Sequence, residues 1–134
     1  MFPTCKYTKG YKYQLEEDYV QRTDIKPKTC GMIHFAKLDI DGTLTIKKGY
    51  AWDGPSGPSF DTKSFMRGSL VHDALYQIMT ENKLLRSHQP EADLILKEVC
   101  LQDGMSRFRA WYVYKAVRLF GRKHINEKVI FSAP

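Results

Sequence analysis

Hydrophobic positions recur along the chain with two different periods, and the change falls near residue 60. In the first half the spacing is two. Lys12-Tyr13-Gln14-Leu15 and Tyr19-Val20-Gln21 are short aromatic or branched stretches, and Asp24 to Lys28 interrupts them as a loop. From Ile33 to Tyr50 apolar residues alternate as Ile33 and Phe35, Leu38 and Ile40, Leu44 and Ile46. Asp41-Gly42 inside that run is a turn pair, so the pattern predicts a β-hairpin turning there. Residues 49–58, with three glycines and two prolines, are too broken for helix or strand and read as a shaped loop.

Beyond that loop the period becomes about 3.6. Phe65, Ser69, His72, Tyr76 and Met79 share one face, flanked by Val71, Leu75 and Ile78, which predicts a helix from about Thr62 to Thr80. A second helix is marked by Pro90 in its first turn, by Ala92, Ile95, Leu96 and Val99 on its apolar face, and by Gly104 as a stop. A third spans about Ser106 to Phe120, with an apolar stripe of Ala110, Val113, Tyr114 and Val117. Lys115, Arg118 and Arg122 share another side that reads as solvated surface, with phosphate binding as the lesser reading; Gly121 ends the helix, and an irregular tail follows. The expected architecture is α+β in one domain, residues 1–134: an N-terminal antiparallel β-hairpin or small sheet packed on two or three helices.

Composition narrows the function classes. The chain has 134 residues, 43% hydrophobic and 27% charged, enough for a core without covalent staples. Three cysteines without a CxxC pair favour neither a disulfide scaffold nor a cysteine zinc site, and fit a reducing compartment. Neither a signal-peptide h-region nor an apolar run approaching the roughly 20 residues of a membrane span is visible. The net charge of +6 favours anionic partners such as phospholipid, nucleic acid or acidic proteins. With no helix-turn-helix, zinc-finger or RNP signature, nucleic acid ranks behind lipid and protein.

Two places hold polar residues that packing does not require. On the first predicted helix His72 faces with the core stripe, while Asp73 points about 100° away, beside Ser69 and Gln77. Asp93 interrupts the apolar face of the second helix, and an antiparallel pairing through the short Asn82–Gln89 connection would set it opposite His72. A carboxylate there would hold one imidazole nitrogen and leave the other to take a proton from water. The second place is the Gly/Pro loop, where Asp53, together with Asp73, would offer a hard cation such as calcium two carboxylates. Each feature also has a bland alternative. A buried histidine on a carboxylate is commonly a satisfied core group, Asp53 can brace its own loop, and Tyr50 and Trp52 read as packing residues. Ser69 lacks the strand-turn-helix elbow of a hydrolase nucleophile.

The stretch Gly49-Tyr50-Ala51-Trp52-Asp53-Gly54-Pro55-Ser56-Gly57-Pro58, then Arg67 to Tyr76 (RGSLVHDALY), Arg86, Ala92-Asp93 and Ala116 to Gly121 (AVRLFG), closely resembles an uncharacterised phage and prophage family, domain of unknown function 1353. The resemblance implies a phage or prophage protein of the host cytoplasm or virion, whose partners include other phage proteins or anionic phospholipid. A glycine-rich loop, a His-Asp helix with Tyr three residues after the Asp, and a partner Asp on an antiparallel helix also resemble, more distantly, calcium-dependent phospholipase A2. That resemblance implies His72 as general base, Asp93 as the residue that orients it, and Asp73 as a calcium ligand with the loop at Asp53 and Gly54. Leu70 and Val71 stand where the phospholipases carry flanking cysteines. Two functions follow: a calcium-assisted, lipase-like ester hydrolase, or a non-enzymatic virion or accessory protein in which the same residues form a structural hydrogen-bond network.

Overall fold

A computed structural model describes residues 5, 7–8, 13–52 and 63–132, with side chains as far as residue 119 apart from residues 7 and 8. Among the described residues seven short strands precede three α-helices. They are β1 (Tyr7–Thr8), β2 (Tyr13–Leu15), β3 (Tyr19–Arg22), β4 (Gly31–Ile33), β5 (Ala36–Leu38), β6 (Thr43–Ile46) and β7 (Ala51–Trp52), then α1 (Lys63–Thr80), α2 (Gln89–Gln102) and α3 (Arg107–Ser132). The strands form two antiparallel sheets, ordered β1-β2-β7 and β3-β6-β5-β4. The α+β expectation therefore holds.

The predicted hairpin is β5–β6, with Leu38 opposite Leu44 and Ala36 opposite Ile46. Its turn closes by Gly42 N–H to Asp39 O at 2.9 Å and Thr43 N–H to Asp41 Oδ1 at 3.0 Å. Gly42 takes φ +93°, and a Cβ there would sit 2.2 Å from Thr23 O, so both conformation and space demand glycine. Leu38, Leu44 and Ile46 are fully buried, as the alternation requires. Phe35 and Ile40 are not: they sit in the turns on either side of β5 and face solvent. Between β4 and β5 two residues suffice to reverse the chain, which shifts Phe35 out of the strand period.

One core cluster joins Leu15, Leu38, Leu44 and Ile46 of the sheets to Leu70, Val71, Leu75 and Ile78 of α1. A second joins Phe65 of α1, Leu96 and Cys100 of α2, and Ala110 and Val113 of α3. α1 and α2 run antiparallel, since Tyr76 meets Gln89, His72 meets Asp93 and Arg67 meets Gln102. Their close approach depends on Gly68, where a Cβ would lie 2.8 Å from Cys100 Sγ and 3.0 Å from Leu96 Cδ1. α2 stops before Gly104 as expected, but α3 does not stop at Gly121; the helix continues to Ser132 where a tail was expected. An interior glycine costs a helix only about 1 kcal/mol relative to alanine, and no proline follows until residue 134.

Candidate functional site

α1 is amphipathic with a buried polar insertion, and α2 answers it. His72 and Tyr76 lie one turn apart, their rings 4.0 Å between centroids, and both turn toward Asp93. His72 Nε2 stands 2.7 Å from Asp93 Oδ1, and the Tyr76 hydroxyl donates to the same oxygen. Gln89 Nε2 donates to the Tyr76 oxygen at 3.2 Å. The second carboxylate oxygen, Oδ2, accepts from Arg118 Nη1 of α3 at 2.8 Å. Asp93 is 0% exposed, so this full set of donors offsets the cost of burying a carboxylate.

The arrangement decides the imidazole tautomer. A carboxylate that already receives a phenol and a guanidinium is an acceptor, so the proton of the neutral ring lies on Nε2. Nδ1, at the opposite edge, carries the lone pair. It lies 4.0 Å from Asp73 Oδ1, too long for a direct hydrogen bond; the Asp73 side chain is 41% exposed, whereas that of His72 is buried, at 9%. Tyr76 stays a donor. Burial first, then its hydrogen bond to Asp93 and the charge of that carboxylate, push its phenol far above the usual range.

Two residues of the stretch expected as loop, Ala51 and Trp52, instead form β7 against β2, and the residues around it are tied to α1. Trp52 Nε1 donates to Ser69 Oγ at 3.0 Å, and the Ser69 hydroxyl donates to Met66 O at 2.8 Å. The Tyr50 hydroxyl donates to Gln77 Oε1 at 3.1 Å. Ser69, Asp73 and Gln77 are successive turns of one α1 face, so Tyr50 and Trp52 bracket Asp73. Asp53 and Gly54 themselves lie outside the described residues. Asp73 is thus the one described member of the expected calcium set, and among the described residues no three His, Cys, Asp or Glu side chains converge as a metal shell.

The structure sets Asp93 against His72 as the antiparallel helix pairing led one to expect, and leaves Asp73 on the other side of the ring, 4.0 Å from Nδ1. It also corrects one reading. Arg118 is not on a solvated basic face with Lys115; it turns inward to Asp93, because at helical spacing residue 118 falls beside the buried stripe of 110, 113 and 117. The side chain of Arg122 lies outside the described residues. Sequence reasoning also missed Gln89 and the group around Arg67, which is buried and donates to Asp103 at 3.0 and 2.9 Å, to Tyr19 Oη at 2.9 Å and to Gln102 Oε1 at 2.8 Å. An arginine in an apolar helical stretch was the available signal; its partners sit in other elements, which periodicity does not join. Cys100 is buried.

Residues 33–117 match a family described as protein of unknown function (DUF1353). No match was found among curated proteins or among solved structures.

Proposed function

Because the chain belongs to the DUF1353 family, whose description assigns no activity, the functional reading has to come from the site, and we propose that the site is the general-base centre of an ester hydrolase. The observation that carries this is the held imidazole, with Nε2 on Asp93 and Nδ1 at the edge nearest the half-buried Asp73. In the reaction, His72 Nδ1 takes a proton from a water molecule as its oxygen bonds to the ester carbonyl carbon. The acyl–oxygen bond then breaks and the imidazolium returns the proton to the leaving oxygen. Asp93 orients the ring and stabilises its cationic form, and Tyr76 and Arg118 hold Asp93.

The proposed metal is calcium, held by Asp73 with Asp53 and Gly54; it would polarise the ester carbonyl. Trp52 on Ser69 supports this by rooting the loop near Asp73. An anionic phospholipid ester suits the basic chain as substrate, and the phage or prophage setting, in host cytoplasm or virion, rests on the motif resemblance of residues 46–121. The test is turnover of phospholipids and simple esters in calcium and in chelator, with melting curves alongside. The reading expects calcium-dependent hydrolysis and a midpoint that rises with calcium, both lost in Asp73→Asn. Absence of hydrolysis across the panel would overturn it.

The Arg118 contact favours a second reading. A carboxylate that is fully buried and paired with a guanidinium is also what a purely structural network looks like, and in a non-enzymatic phage protein the same four side chains would tie α1, α2 and α3 together.

A further inference from the structure

The outward face of α3 has no part in the site described above. Phe108 is 74% exposed and Leu119 73%, and Trp111 and Tyr112 are at least half as accessible as in an open chain or nearly so, at 49% and 62%. At about 100° per residue, positions 108, 111, 112, 115 and 119 fall within an arc of about 100°. Four large apolar side chains therefore line one exposed strip, with Lys115 among them. Phe108 and Trp111 lie side by side, ring centroids 6.2 Å apart.

A strip of this kind is costly to leave in water, and its chemistry selects an occupant. Trp and Tyr have an apolar body and a polar edge, the combination suited to the headgroup boundary of a bilayer. From Arg107 to Asn126 the helix contains no acidic residue; Arg118 is taken up by Asp93, and basic residues remain at positions 107, 109, 115, 122 and 123. Stacking this strip on a second copy of itself would bring those like charges together, whereas an anionic lipid surface complements them. No helix among the described residues is long and apolar enough to cross a membrane, so α3 would lie along the surface.

We propose that the exposed Phe108–Trp111–Tyr112–Leu119 strip of α3, with Lys115, seats the protein on the interface of an anionic phospholipid bilayer. This docking is separate from the ester-hydrolase reading, because it needs neither His72 nor turnover. The partner surface is phospholipid with negatively charged headgroups, entered by the aromatic rings to the depth of the headgroup boundary.

The experiment is binding of the full chain to vesicles of phosphatidylglycerol and phosphatidylcholine, compared with phosphatidylcholine alone, read by sedimentation and by tryptophan fluorescence. The chain has two tryptophans; Trp52 is buried, so a blue shift on vesicles reports Trp111. Binding to anionic vesicles with a blue shift, weakened by salt, is the expected result. Trp111→Ser and Phe108→Ser should each lower the partition coefficient about tenfold, and Lys115→Gln about fivefold on anionic vesicles only. All three positions are exposed, so the folded state survives these changes and circular dichroism melts verify it. Equal partition onto neutral and anionic vesicles would overturn the proposal, as would variants that bind like the parent. So would a concentration-dependent dimer that the Trp111 and Phe108 substitutions abolish, since that would assign the strip to a second copy.

Discussion

His72 Nε2 lies 2.7 Å from Asp93 Oδ1 across the α1–α2 seam, and this one contact fixes which ring nitrogen carries the proton. The consequence is readable by two-bond 1H–15N NMR of the His72 side chain. The neutral ring should show Nε2 protonated and Nδ1 bare, and Asp93→Asn should mix the tautomers. A dominant Nδ1–H form in the parent would contradict the site as built.

Stability at high pH follows from the buried phenols and thiols. Burial, ahead of every other cause, raises Tyr19 to about 12 and Cys100 to about 12, and raises Tyr76 further. A group that holds its proton more tightly when folded stabilises the fold fully below its unfolded value. As pH rises past that value the unfolded chain releases its proton first, and stability falls. The urea midpoint should therefore be level to about pH 8, where an unfolded thiol begins to titrate, and drop steadily toward pH 12. Tyr76→Phe removes a donor from Asp93 and strands Gln89 Nε2, so it should cost about 1–3 kcal/mol at pH 8 yet show a shallower alkaline fall. An alkaline fall as steep as that of the parent would contradict this.

Gly68 sets the spacing on which the His72–Asp93 contact depends. Gly68→Ala should push α1 from α2 one turn before His72, since the new methyl meets Cys100 Sγ, Leu96 Cδ1 and Leu96 O. Overpacking of this kind should cost about 1–3 kcal/mol, read as an earlier melting midpoint. An unchanged midpoint would show that the seam has slack.

Much of this was visible in the residue order, for identifiable reasons. Period two gave the β5–β6 hairpin because Leu38, Leu44 and Ile46 all face one core, and period 3.6 gave α1 because its buried face is wide. His72 and Asp93 met as expected because a short connection forces the two helices to run antiparallel. Phe35 and Ile40 misled because turn residues can be apolar without being buried. Gly121 misled because an interior glycine weakens a helix without ending it. Arg118 and Arg67 were illegible for a different reason: each satisfies a partner far along the chain, Asp93 and Asp103 respectively, and no local pattern encodes that pairing.

The central claim is that His72 is a base held by Asp93 and not merely a packed core group. Turnover and melting of the parent, His72→Gln and Asp93→Asn, measured together on the ester panel in calcium, test it most directly. The account predicts hydrolysis by the parent, none by His72→Gln with a small shift in melting, and a fall of roughly 10- to 100-fold in Asp93→Asn, whose amide misorients the ring. A parent protein inactive on every ester, with both variants melting clearly earlier, would contradict it and leave the pair as part of the scaffold.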